Sequence, residues 1–287
     1  MSTSLANPGF GLAALCLVMV VCAVAVYLAT GLGRPTVVPG AAVRGAVQLA
    51  LVSLVLAAAL SRLWSSVLVL IVMFGAAVFT SGRRAEAGRS AAWLALALLA
   101  GIGTVLPMML ISGVVPLEGV ALVPVGGIVL GGAMTATSLA ARKALDSIEQ
   151  RWGEVEAALS LGLDERDSRL EVVRSAASDA LLPGLDQTRT VGLVTLPGAF
   201  VGVLLASGSA VQAGAVQILV LVGLLLAQTC AVAATVEMVA RGLVHRPRAA
   251  DRSGITGVDA GTSPRGTRRR RLRPWRTRRR RTAPTVR

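Results

Sequence analysis

Charge is scarce in this chain. Asp, Glu, Lys and Arg make up only 15% of its 287 residues, against about a quarter in an ordinary soluble domain. Lysine occurs once, at Lys143, and histidine once, at His245. The lysine follows Arg142 rather than a glycine-rich loop. No phosphate cradle ending in Gly-Lys-Ser/Thr therefore exists, and ATP hydrolysis is not expected here. The three cysteines, Cys16, Cys22 and Cys230, all lie in apolar runs. They read as small hydrophobes, not as a disulfide framework. No Cys-x-x-Cys and no His/carboxylate cluster has metal-ligand spacing. Met108, Met109 and Met134 are soft sulfur donors by chemistry, but core filler is the simpler reading. The chain is expected to be no enzyme and to hold no cofactor of its own.

Apolar sequence is what remains. Hydrophobic residues make up 54% of the chain, and mean hydropathy is +0.70. A helix crosses a bilayer core with about 20 apolar residues. Seven stretches meet that length: about 9–32, 40–61, 63–80, 90–112, 117–141, 188–207 and 210–237. The first has no charge and no basic leader, so it reads as a retained span and not a cleaved signal. The fold class is therefore all-α, a polytopic bundle of about seven transmembrane helices. Placing the N-terminus outside and alternating seven times turns every basic residue except Arg62 inward. That distribution fits the inward bias of Lys and Arg. It predicts a multi-pass protein of the cytoplasmic membrane with its C-terminus inside.

The formal charge of +14 belongs to one end. From Arg241 to Arg287 there are sixteen arginines and two aspartates, and the rest of the chain is neutral. Residues 1–240 thus read as the membrane domain and 241–287 as a disordered, Arg-rich cytoplasmic tail. At the inner leaflet each arginine adds on the order of 1 kcal/mol of attraction to anionic headgroups. Lipid contact ranks above nucleic-acid binding for a tethered tail.

The long polar stretch ahead of the tail, about 142–189, separates the fifth and sixth spans. Leu145, Ile148, Trp152, Val155 and Leu159 recur at three and four residues, the period of an amphipathic helix. Gly162 is placed to stop that helix, and Asp164 to cap the next one. The second helix is expected to run to Leu182 and to end at Pro183-Gly184. This is a helical hairpin between two spans. The plain reading is a surface element; the sharper one is a coupling element that docks into another subunit through Val155, Ala158 and Leu159.

A resemblance bears on that choice. Glu156-Ala157-Ala158, followed three residues later by Gly162, resembles the start of the loop through which ABC-transporter permeases engage their ATPases. Arg44 to Leu49, Val123 to Gly127, Gly131 to Met134, Ser160 to Gly162, Ala180 to Pro183 and Thr190 to Gly198 are together similar to the FetB-type permeases. That family is associated with iron export, and its plant relatives with aluminium tolerance. The chain departs from its pattern at Gly132, where asparagine is expected, and at Ala199-Phe200, where a methionine pair is expected. The resemblance implies an ABC permease subunit, homodimeric, exporting a metal ion such as iron. It further implies a separate cytoplasmic ATPase subunit that binds ATP and Mg. Val155, Glu156, Ala157, Ala158, Leu159, Gly162 and Asp164 would then form the ATPase-coupling element. The alternative is a secondary transporter driven by an ion gradient.

Two spans are rich in helix breakers. The fifth holds Pro124, Gly126, Gly127, Gly131 and Gly132, and the sixth holds Gly192, Pro197, Gly198 and Gly202. Broken helices in lipid are tolerated where freed backbone lines a cavity, and in transporters they flank the substrate. Close helix packing is the competing explanation for any one glycine. Pro124, Gly127, Gly131, Met134, Pro197 and Gly198 are candidate pathway or gate residues. So are Asp186, Arg189, Thr190 and Thr195, with an Asp186–Arg189 pair expected at the entrance to the sixth span. Threonine bonding its own helix is the competing reading for Thr190 and Thr195.

Overall fold

The computed structural model describes residues 10–31, 33–59 and 63–246. Among them the chain folds into α1 (Phe10–Thr30), α2 (Val37–Ala59), α3 (Leu63–Ala85), α4 (Leu94–Ile111), α5 (Gly119–Gln150), α6 (Trp152–Ser160), α7 (Glu165–Ser178), α8 (Leu182–Thr190), α9 (Gly198–Ser207) and α10 (Ala210–Ala240). Single 3-10 segments at Gly88–Trp93 and Asp179–Leu181 precede α4 and α8. Among the described residues, six helices are long and apolar enough to cross a membrane: α1 to α5 and α10. The protein is an all-α polytopic membrane bundle.

Its core is made of α3, α4, α5 and α10, joined at one end by α7. Small residues let these helices approach closely, as packing in lipid favours. A Cβ added to Gly101 on α4 would lie 2.7 Å from the Ala227 carbonyl of α10. On α5, Ala133, Ala136, Ala140, Ala141 and Ala144 are all buried. The contacts also set direction. Gly126 and Gly127 of α5 lie against Leu70 and Met73 of α3, and twelve residues on Ser138 Oγ donates to Ser81 Oγ at 3.2 Å. Gly132 of α5 meets Leu224 and Gln228 of α10, and Ala140 clusters with Val239. So α3, α5 and α10 run parallel. α4 runs against them, Leu94 clustering with Ala140 and Val105 with Val129.

That arrangement constrains the return path. Two parallel neighbours, α5 and α10, start at the same end, so residues 151–209 must come back across the bundle. The expected sixth span, 188–207, is not one continuous helix. α8 stops at Thr190, an isolated bridge joins Val191 and Thr195, and α9 adds ten residues. At 1.5 Å per residue α9 is about 15 Å long, half of a bilayer core of about 30 Å. Gly208, at φ +68°, turns the chain and Ser209 caps α10 by accepting from Gln212 N–H.

The fifth span behaves differently from expectation. α5 is an unbroken helix of 32 residues. Pro124 sits in its second turn, where it removes a single hydrogen bond. Three glycines of α5 admit close neighbours: an added Cβ at Gly126 would meet Leu70 at 2.9 Å, one at Gly127 would meet Met73 at 3.0 Å, and one at Gly132 would overlap Leu224.

Arg241–Arg246, assigned to the tail by charge, are folded onto the bundle. Val244 is buried, and His245 N–H donates to Ser90 Oγ at 3.0 Å. Arg246 donates to Asp146 at 2.6 Å and Glu149 at 2.9 Å, with only 13% of its side chain exposed. The stretch is too apolar and too well paired to peel away. The remainder of the Arg-rich tail lies outside the described residues.

Candidate functional site

The element between α5 and α10 is built by its capping chemistry. α6 ends where Leu163 N–H reaches back to Ala158 O at 3.2 Å and Gly162 N–H to Leu159 O at 3.0 Å. This pair of bonds needs a left-handed residue after the helix, and Gly162 supplies it at φ +94°. Asp164 then caps α7 by accepting from Asp167 N–H at 2.7 Å. Glu165 and Asp167 sit in the first turn, where the helix dipole favours carboxylates. The helix–turn–helix is present as the spacing predicts. Its second helix is shorter, ending at Ser178, and Pro183 opens α8 instead of closing α7. Proline is well suited to a first helical position, where no N–H is needed.

The apolar face of α6 is divided. Val155 is 1% exposed and Ala158 partly covered, because α6 packs on α5 and α7. The face expected to dock outward is therefore partly spent inside the molecule. Outward are Glu156 and Ala157, with Leu159, Leu161 and Leu163 around the Gly162 turn. Leu161 is 83% exposed. Arg151 binds Glu154 at the base of α6 and holds that carboxyl below the usual range.

α7 ties this element to the bundle. Arg166 donates from Nε and Nη2 to the two oxygens of Glu237 on α10, both at 2.8 Å. Hydrogen bonding to Glu237 raises the Arg166 guanidinium above its ordinary value. Arg241 also donates to Glu237, at 2.6 Å. Lys143 on α5 pairs with Asp179 at 2.7 Å. Val173 and Ala177 of α7 are buried with Ala140 and Ala144 of α5. Through α7, α6 is thus joined to both α5 and α10.

The candidate pathway residues divide by location. Gly127 and Met134 face α3, Met134 packing beside Leu98 and Leu130. Pro124 lies one stripe over on an exposed face, and an added Cβ at Gly131 would meet nothing within 4 Å. Asp186 and Arg189 do pair, at 3.5 Å, on an exposed turn of α8. Thr190 Oγ1 donates to the Asp186 carbonyl at 2.8 Å, so it bonds its own helix. Thr195 is exposed and accepts from Gly192 N–H through its carbonyl at 2.9 Å. Pro197 caps α9 and Gly198 begins it in open space. Met109 is buried against Gly223, as core filler. Among the described residues no group of three or more His, Cys, Asp or Glu could hold a metal ion.

One site was missed. Gln228 lies mid-way along α10, 7% exposed, wedged between Gly132 of α5 and Gly184 of α8. A Cβ on Gly184 would overlap its Oε1, and that oxygen has no hydrogen-bond partner among the described residues. A buried carbonyl oxygen without a partner is costly, and three helices meet at this one. The available signal was Gln217 and Gln228 eleven apart in an apolar run, three helical turns on one face.

The sequence pattern of UPF0014, described as an uncharacterised protein family, matches residues 11–244. The chain is 33% identical to Protein ALUMINUM SENSITIVE 3 of Arabidopsis thaliana over 54% of its own length and 57% of that protein's. It is 33% identical to UPF0014 membrane protein slr1647 of Synechocystis over 62% of this chain and 71% of that one. It is 30% identical to the "Probable iron export permease protein FetB" of Escherichia coli over 44% and 48%. The chain spans a little over half the length of the plant relative. No solved structure matches it. With 234 consecutive residues, 11–244, under one family pattern, the chain belongs to the UPF0014 membrane protein family.

Proposed function

We propose that this chain is the membrane permease subunit of an ABC-type exporter for a metal ion such as iron. In this reading it works as a homodimer, with two copies of a separate ATPase subunit that carry ATP and Mg. It resides in the plasma membrane with its N-terminus outside. The observation that carries the proposal is the α6–Gly162–α7 element. It presents Leu161 to solvent, sits where α5 and α10 both end, and is ion-paired to α10 through Arg166 and Glu237. An exposed apolar tip on a rigid lever suits a partner that delivers force. Arg83 and Arg84 lie in the last turn of α3, Arg142 and Lys143 in the last third of α5, and Arg241 directly follows α10; this clustering at one end of parallel helices supports the cytoplasmic assignment of that end. FetB, a relative, is named for iron export.

Within this scheme Glu156, Ala157, Leu159, Leu161 and Gly162 meet the ATPase, while Val155, Ala158 and Asp164 shape the element. Pro197, Gly198 and the non-helical stretch before them form the yielding part of the pathway, and Gln228 the point it pivots on. Acidic residues inside the spans, Asp146, Glu149 and Glu237, sit in closing turns and are all ion-paired. None is placed to carry a proton through mid-bilayer, so a gradient-driven mechanism finds no support in them.

The test is co-expression with the ABC ATPase encoded nearest to this gene, followed by purification and reconstitution in liposomes. Co-purification and ATP-dependent movement of Fe2+ are expected. Flux that follows an imposed proton gradient without ATP would replace this reading with the gradient-driven one.

A further inference from the structure

A groove of about 540 Å³ opens on the flank of α3, where α3 meets the 3-10 segment at Gly88–Trp93. Its walls are apolar, with Phe74, Val78 and Phe79 from α3 and Ala92 opposite. Phe79 is 64% exposed. From Phe74 to the last turn the groove rises along about 18 Å of helix, close to the depth of one leaflet.

The rim carries two charges of opposite sign, Arg83 and Glu86. Arg83 lies over the Phe79 ring, 5.7 Å from its centroid. Neither has an ion-pair partner among the described residues. Glu86 adopts φ +56°, a left-handed conformation that is uncommon outside glycine. Glu86 N–H bonds the Arg83 carbonyl and Ala87 N–H the Gly82 carbonyl, so the rim is fixed by the end of α3.

We infer that this groove binds one phospholipid whose headgroup carries both a phosphate and a primary ammonium, the phosphatidylethanolamine class. The phosphate sits on Arg83, the ammonium on Glu86, and one acyl chain follows Phe74 and Val78. A purely anionic headgroup satisfies Arg83 but sets its charge against Glu86. A quaternary ammonium gives Glu86 no hydrogen bond. The apolar wall selects a lipid over a soluble phosphate. This site stands apart from the coupling element and does not depend on what is transported.

The experiment is native mass spectrometry of the full chain, delipidated in detergent and exposed to equal amounts of phosphatidylethanolamine, phosphatidylglycerol and phosphatidylcholine with the same acyl chains. Phosphatidylethanolamine is expected to be retained about threefold to fivefold over the others, the scale of one exposed ion pair. Glu86→Gln should erase that preference, and Arg83→Gln should lower retention of all three. Gly75→Leu should lower it too, because an added Cβ at Gly75, on the groove, meets nothing within 4 Å and the new side chain fills the space. Arg174→Gln, on the exposed face of α7, is the charge control and should change nothing. Equal retention of all three lipids by the unaltered chain would overturn the inference. So would a preference for phosphatidylglycerol, an equal effect of Arg174→Gln, or competition by soluble glycerophosphoethanolamine.

Discussion

Arg166 and Glu237 are 71 residues apart in sequence, yet they form a two-pronged ion pair that fastens the first turn of α7 to the last turn of α10. Removing either partner should lower the melting temperature only modestly, since both side chains are partly solvated. A double-mutant cycle with Arg166→Gln and Glu237→Gln, read by thermal unfolding, should return a favourable coupling, the double variant losing less than the two single losses together. Under the proposed function, the same variants should leave ATPase association intact while reducing ATP-dependent flux, because they cut the link from α7 to α10 and leave the Leu161 tip unaltered.

The Gly162 turn makes a different prediction. At φ +94° a β-branched side chain is strained, so Gly162→Val should cost about 1 to 2 kcal/mol locally. Leu161→Asp leaves the backbone alone and places charge on the exposed tip. If the tip docks, both variants reduce ATPase co-purification, and Leu161→Asp does so with an unchanged melting temperature. Normal co-purification by Leu161→Asp would remove the tip from the interface.

At the three-helix junction, Gly184→Ala forces a methyl group into the Gln228 amide. A loss of about 1 to 3 kcal/mol is expected, as for other overpacked cores. Gln228→Ala in the same chain should restore most of it. Gly131→Ala, which meets nothing, should be neutral or slightly stabilising.

Much of this was legible in the sequence. Apolar runs located the six long helices, and the Gly162/Asp164 pair located the turn and the cap, because those signals are local. The order of α8 was not legible: Pro183-Gly184 reads equally as a stop or a start, and only the packing of Gly184 on Gln228 decides it. The breakers in the fifth span misled for a related reason. A glycine that admits a leucine from α3 and a glycine that frees a hinge look identical until the neighbour is known. Val155 is the third case, since helical period shows an apolar face but not which body covers it.

The boundary of the tail gives the fourth prediction. Truncation after Pro247 should leave stability unchanged, because the latch formed by Val244, His245 and Arg246 is kept. Truncation after Ala240 removes it and uncovers Ser90, Asp146 and Glu149. A drop of several degrees in melting temperature is expected from the loss of a buried valine and a two-acceptor arginine. Equal melting temperatures for the two truncations would show that the latch adds nothing.

The parallel course of α5 and α10 has a consequence for biogenesis. A nascent segment partitions from the translocon into lipid by itself when it offers about 20 apolar residues, and α9 offers ten. The left-handed turn at Gly208 brings α9 back along the first half of α10. The two are therefore expected to leave the translocon together, with α10 supplying the partitioning energy for both. A glycosylation reporter placed after Ser207 should fail to register a crossing until α10 has been synthesised.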